Sequence, residues 1–309
     1  MLTTPMDVLT QFPVRKKKEQ KKNFRAAVRS YGEKLGYSVT EERGAFGACN
    51  LILGDAEKAK YLVTAHYDTC AKSPLPNFAL PCNVPLQMLF RLLRILLVSA
   101  IAILCGVSAG LLLGRSAVKV TVLLVFLALW LLRFCGPANE TNANDNTSGV
   151  ITLLEIARTM PENQRSKVCF VLFDLEEYGL IGSAVYRKKH KKATDQQIVL
   201  NLDCVGDGDH LLMLPAKQLR KDRKKLTSLY KACGYFGKKS LLVYERGFSV
   251  YNSDQKYFPY GVGICALRKR KKLLCLSRIH TPKDTILEET NVNILRAALT
   301  TFICCDEVN

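Results

Sequence analysis

Two hydrophobic periodicities run through the chain. Short apolar runs of five to seven residues, NLILG (50–54), KYLVTAH (60–66), VCFVLFD (168–174), IVLNLD (198–203), LLMLP (211–215), SLLVY (240–244) and GICALR (263–268), read as strands. Between them, segments at about 16–36, 148–159, 179–191, 217–234, 252–257 and 291–305 carry helical spacing. Strands and helices that take turns in this way predict an α/β fold: a three-layer α/β/α sandwich around a mixed, mostly parallel sheet. In such sheets ligands bind beyond the carboxyl ends of the strands.

One region obeys neither period. From Leu86 to Phe134 the chain is almost wholly apolar, and Ile95 to Leu113 is a run of 19 residues without a charge. At 1.5 Å per residue such a helix reaches roughly 28 Å, close to the hydrocarbon thickness of a bilayer. The second run, about Ala117 to Phe134, contains Lys119, which can snorkel to the interface. The expectation is a two-helix transmembrane hairpin at residues 85–135, with residues 1–84 and 136–309 forming the two parts of one catalytic domain. A pair of buried core helices is the alternative, but such helices seldom lack a polar face over five turns. Two spans return the chain to the side it left. Residues 1–84 carry 13 Lys and Arg against 8 Asp and Glu, and no secretory signal precedes the basic cluster after Val14. The domain is therefore expected on the cytoplasmic side of a cell membrane.

Composition adds a charge question and a redox one. The net charge is +18, a field that attracts polyanions such as nucleic acid or an anionic membrane face. The basic runs RKKK (15–18), RKKHKK (187–192), KQLRKDRKK (217–225) and RKRKK (268–272) read as solvated faces or as attraction to anionic lipid. They lack interleaved stacking aromatics, so no specific nucleic-acid partner is expected. The 12 cysteines have no CxxC spacing and read as small buried hydrophobes in a reducing compartment.

The chemistry gathers at the expected strand ends. VTAHYDT supplies His66 and Asp68, NANDNTSG supplies Asp145, FDLEEYG supplies Glu176 and Glu177, NLDCVGD supplies Asp203 and RIHTPKDT supplies His280. Each alone has an ordinary structural role open to it: a helix cap, a turn, a satisfied histidine. Two imidazoles and three carboxylates at successive strand ends instead suit a pair of zinc ions with nitrogen and oxygen ligands.

The set AHYDT, NDNTSG, EE, NLDCVG and IHTPKDT resembles the co-catalytic di-zinc aminopeptidase family, whose scaffold also serves glutamate carboxypeptidase, transferrin receptor and glutaminyl cyclase. The resemblance covers nearly all of the chain outside the hairpin. It implies that His66 and Asp203 bind one zinc, Glu177 and His280 the other, and Asp145 bridges them. It further implies Glu176 as general base, Asp68 as the partner that orients His66, and a strained, often cis, peptide from Asp145 to Asn146. In YNSDQKYFPYGVGICAL the chain departs from the family, with Gln255 where histidine is usual. A further carbonyl-polarising donor is unassigned, with Tyr251 and Tyr257 as candidates. The leading expectation is a membrane-anchored zinc aminopeptidase acting on peptides through a water activated by two Zn2+ ions. A glutaminyl-cyclase-like acyltransferase and a non-catalytic membrane scaffold are the alternatives.

Overall fold

The computed structural model describes residues 2–305 apart from 74, 76, 246–248 and 250. Ten strands form one mixed sheet: β1 Val39–Arg43, β2 Cys49–Leu53, β3 Tyr61–His66, β4 Val168–Phe173, β5 Ile198–Leu202, β6 His210–Pro215, β7 Gly234–Phe236, β8 Lys239–Val243, β9 Gly261–Arg270 and β10 Leu273–Cys275. Their order is β1-β2-β4-β3-β5-β9-β6-β8-β7, with β10 paired to β9. The centre of the sheet is parallel (β4-β3-β5-β9), and antiparallel pairings flank it. Ten α-helices among the described residues accompany the strands: α1 Asp7–Gln11, α2 Lys18–Lys34, α3 Val84–Leu113, α4 Ser116–Cys135, α5 Gly149–Thr159, α6 Ile181–Lys189, α7 Lys191–Thr194, α8 Lys217–Lys221, α9 Arg223–Tyr230 and α10 Glu289–Cys304.

The apolar runs of the central strands are nearly unbroken because both faces of the sheet are covered. On β4, Val168, Phe170 and Leu172 enter the main core with α2, α5 and α10, while Cys169, Val171 and Phe173 enter a second cluster with Tyr186 and Phe258. The same alternation sends Leu200 of β5 to the main core and Val199 to the second. Truncating Phe170 to alanine would cost about 3–5 kcal/mol at such a site. Two polar residues interrupt this core and are paired. Thr64 Oγ1 donates to Asn201 Oδ1 at 2.8 Å, and Asn201 Nδ2 donates to Ser253 Oγ at 2.9 Å and Gln255 Oε1 at 3.0 Å.

The expected helix at 217–234 is broken in two, because Asp222 leaves helical geometry and caps α9 by accepting from Lys225 N at 3.1 Å; Gly234 then starts β7. The expected helix at 252–257 is a single 3-10 turn, Asp254–Tyr257. The basic runs are only partly solvated. Arg15 is fully buried, with Nη2 donating to Thr147 Oγ1 at 3.1 Å; Arg187 pairs with Asp195, and Arg268 with Asp207 and Glu288.

Helices α3 and α4 pack side by side as a hairpin. A β-carbon on Gly106 would lie 2.4 Å from Val122 Cγ2, and one on Gly110 2.4 Å from Val118 Cγ2, so both glycines let the helices approach closely. By length and composition both helices could cross a membrane, and most of their large apolar side chains are exposed. Asn83 caps α3, its Oδ1 accepting from Leu86 N at 3.1 Å. The hairpin's base is tied to the sheet domain by the stacked rings of Phe78 and Phe90, 5.8 Å apart. Tyr178 adds a second tie, its hydroxyl donating to the Phe134 carbonyl at 3.1 Å.

Candidate metal centre

Because β3, β4 and β5 run parallel, their carboxyl ends lie along one edge, and the register that pairs His66 with Phe173 and Thr64 with Asn201 fixes their relative height. His66 ends β3, Glu176 and Glu177 follow β4 and Asp203 follows β5. Asp145 lies in the single π-helical turn Ala143–Ser148 that opens α5, and its peptide bond to Asn146 is cis. His280 comes from the segment between β10 and α10. These six residues line one cavity of about 680 Å3.

Within it, His66 Nε2 is 3.3 Å from Asp145 Oδ1 and 3.7 Å from Asp203 Oδ1. On the other side His280 Nε2 is 2.9 Å from Asp145 Oδ2 and 3.3 Å from Glu177 Oε2. Asp145 thus presents one oxygen to each imidazole. His66, Asp145 and Asp203 can offer donor atoms to one ion, and Glu177 and His280 form a second such group, joined by Cys70. Cys70 was not singled out from the sequence. Burial, with Glu177 and Asp145 nearby, pushes its thiol pKa well above the usual range.

Asp68 does more than face His66. His66 Nδ1 lies 3.1 Å from the Asp68 carbonyl oxygen and 3.5 Å from Asp68 Oδ1. The Asp68 carboxylate also accepts from both backbone amides of the acidic pair, Glu176 N at 3.0 Å and Glu177 N at 3.2 Å. Asp284, within the quoted IHTPKDT motif, does the same for the bridging segment, accepting from Asn144 N at 2.8 Å and Asp145 N at 3.0 Å. Four of the six non-glycine residues with positive φ, Leu175, Leu180, Cys204 and His280, belong to or adjoin this cavity among the described residues. Backbone strain concentrates where side chains must be aimed.

The electrostatics call for cations. Burial pushes Glu176 well above the usual carboxyl range, with His66 opposing and Glu177, Asp254 and Asp203 adding to it. Burial also raises Glu177, against the pull of His280. Asp254 is pushed by burial to about 7, and Asp284 by burial and Asp145 to about 8. Burial disfavours charge on His66, yet Glu176, Asp145, Asp203 and Asp68 outweigh it and hold its pKa well above normal. The same contest, won by Glu177 and Asp145, raises His280. Arg15, lowered by burial to about 10 with Asp68 and Asp145 opposing, is the buried guanidinium behind the site.

The donor set fits zinc. Atoms about 2.0–2.1 Å from a tetrahedral zinc stand about 3.3–3.4 Å from one another. The 3.3 and 3.7 Å separations around His66 and the 3.3 Å separation at His280 and Glu177 are near that value and long for hydrogen bonds, while His280 and Asp145, 2.9 Å apart, are at hydrogen-bond distance. Glu177 Oε1 is buried without a hydrogen-bond partner among the described residues, an expensive state for a carboxylate that a divalent ion would relieve.

Gln255, in the position where histidine was expected, is buried; its Nε2 donates to the Tyr251 carbonyl at 2.8 Å and its Oε1 accepts from Asn201. It fastens the 3-10 turn to β5. Tyr251 lines the cavity, but its hydroxyl donates to the Asp203 carbonyl at 2.9 Å, while Tyr257 packs against the outer apolar cluster.

The profile described as Peptidase family M28 matches residues 132–302, just over half of the chain. Comparison with curated proteins gives no match. Among solved structures, the chain is similar to the Bacteroides thetaiotaomicron glutaminyl cyclase bound to N-acetylhistamine, with TM-score 0.62 and 15% identity over 98% of this chain and 97% of that one. It is also similar to the LapA aminopeptidase of Legionella pneumophila, with TM-score 0.56 and 14% identity over 99% of this chain and 70% of that one. For LapB of the same organism the TM-score is 0.59 at 13% identity, over 99% of this chain and 70% of that one. At these identities the likeness is one of fold.

Proposed function

The chain belongs to peptidase family M28, whose members are zinc-dependent metallopeptidases, and from that premise we propose that it is a zinc exopeptidase removing N-terminal residues from peptides. The observation that carries this reading is the pair of imidazole–carboxylate groups, His66 with Asp203 and His280 with Glu177, joined through Asp145. His66 and Asp203 would hold one zinc ion, Glu177 and His280 a second, and Asp145 both. When bound, the metal supplies Lewis acidity that makes water nucleophilic near neutral pH and polarises the scissile carbonyl.

The rest of the reaction falls to the protein. Glu176, half-buried in the same cavity, takes the proton of the attacking water on its carboxylate and delivers it to the departing amine nitrogen. Asp68 fixes the amides of Glu176 and Glu177, which holds the two adjacent acids in place, Glu177 where it would ligate a metal and Glu176 where it would take a proton. Arg15 balances the charge behind Asp68 and Asp145.

In the same reading residues 1–84 and 136–309 make one catalytic domain, anchored by the hairpin at 85–135 in the cell membrane and facing the cytoplasm. The exposed apolar surfaces of α3 and α4 support the anchoring. Protease protection in sealed vesicles tests the orientation: a domain shielded inside the lumen would overturn it.

The functional test is hydrolysis of an aminoacyl-amide panel by the wild type and Glu176→Gln. The variant should keep its zinc and lose roughly a hundred- to ten-thousand-fold in rate; equal rates would remove Glu176 from the mechanism. N-terminal glutaminyl peptides in the same panel separate the cyclase alternative, which would convert them in preference to the amides. A purified protein that holds no metal and cleaves nothing would leave a scaffold.

A further inference from the structure

The catalytic cavity has a wall that the proposed chemistry does not use. Besides the acidic cluster, its lining includes residues of the first turns of α3 and the last turn of α4, namely Arg91, Arg94 and Arg133 with Phe90, Leu93 and Phe134. None of the three arginines forms an ion pair with an acid among the described residues. Arg94 is half-buried, and its Nη1 donates at 3.1 Å to Asn77 Oδ1, on a residue that also lines the cavity. Arg133 lies over the Phe134 ring, 5.9 Å from its centroid, and is near enough to Arg94 to repel it.

Arg91 and Arg133 are exposed and Arg94 is half-buried, so the cost of gathering these like charges falls mainly on Arg94, and an anion that joins them would offset it. The planar guanidinium fork binds a carboxylate through two parallel hydrogen bonds. A cavity of about 680 Å3 holds a short peptide segment. We propose that Arg91, Arg94 and Arg133 form an anion subsite of the catalytic cavity, selecting peptides that carry a carboxylate beyond the scissile bond, on an acidic side chain or at the C-terminus. The inference rests on the exopeptidase reading and names its substrate class. A phospholipid headgroup is the rival claimant, since arginines at the ends of apolar helices commonly splay toward lipid phosphate. Arg94 turns instead onto Asn77 and the cavity, which favours the peptide.

The test uses the zinc-loaded full chain in zwitterionic detergent micelles. Ala-Ala-Gln amide is compared with Ala-Ala-Glu amide, which adds a side-chain carboxylate, and with Ala-Ala-Gln bearing a free C-terminus. The wild type should favour one or both carboxylate peptides by roughly tenfold or more in kcat/KM, mainly through KM, as expected for a charged hydrogen-bonded contact. In the Arg94→Gln, Arg133→Gln double variant that ratio should fall toward one. Calorimetric titration of the same peptides into Glu176→Gln protein reads the subsite without turnover and should show the same preference. No preference in the wild type, or a preference that survives in the double variant, overturns the subsite. A double variant that keeps the preference but loses affinity for phosphatidylglycerol vesicles also overturns it and assigns the arginines to headgroups. Failure of the exopeptidase reading is distinct: no amide is hydrolysed and no zinc is held, while calorimetry still decides whether these arginines bind carboxylates.

Discussion

Replacing Asp68 by asparagine keeps its shape and removes its charge. Asp68 is 1% exposed and accepts two backbone hydrogen bonds, from Glu176 N at 3.0 Å and Glu177 N at 3.2 Å. An amide can serve only one of these donors, since its nitrogen would face the other N–H. Losing one hydrogen bond to a charged, buried acceptor costs about 1.5–3 kcal/mol. The buried Arg15 also loses an opposing charge, so the total loss should be about 2–4 kcal/mol. At about 2–4 °C per kcal/mol, the midpoint of thermal unfolding should fall by roughly 5–15 °C. Misplacing Glu176 by about 1 Å would cost on the order of a hundredfold in kcat/KM. Looser orientation of His66 should weaken zinc affinity roughly ten- to a hundredfold. The assay is thermal unfolding in detergent with kinetics and zinc titration on the same preparation. A variant with unchanged midpoint and kcat/KM would refute the idea that Asp68 positions the acidic pair; weaker zinc binding alone would confine it to His66.

Two further outcomes follow from the geometry. A β-carbon on Gly182 would lie 2.3 Å from the Asp174 carbonyl oxygen and 2.5 Å from Asn50 Oδ1, so Gly182→Ala should destabilise the turn that carries Glu176 and Glu177 by about 1–3 kcal/mol or more; a wild-type unfolding midpoint would contradict this. His190 has its pKa raised by the hydrogen bond to Glu42, against burial, and further by Glu57. Its contribution to stability is then complete below the ordinary imidazole value of 6.5 and is lost as pH rises through the raised folded value; the unfolding midpoint of zinc-loaded protein should drop across that window, and His190→Gln should flatten the drop.

The central strands were legible because burial on both faces leaves few polar positions, as in VCFVLF, and the candidate ligands His66, Glu177 and Asp203 were legible because their motifs sit where those runs stop. β1 was not, since VTEER is an edge strand with three successive charged residues, Glu42 among them buried, and such a composition hides the strand pattern. β7 and β10 have three residues each, too few for a period. Arg15 reads as one charge in a basic run, and only the fold brings Thr147 and the Tyr67 carbonyl to its guanidinium. Asp68 was found, but for its neighbour in sequence, while its contacts with Glu176 and Glu177 join residues more than a hundred positions apart. The arginine wall of the cavity was likewise read only as flanks of an apolar hairpin. Its relation to the ligands depends on how α3 and α4 seat on the sheet domain.

The most direct measurement is the zinc content of the purified full chain by elemental analysis, for wild type and Asp145→Ala. If His66 and Asp203 hold one ion, Glu177 and His280 another, and Asp145 both, the wild type carries two zinc ions per chain and the variant loses most of both. A wild type without zinc, or an Asp145→Ala protein that keeps its full complement, would contradict the account.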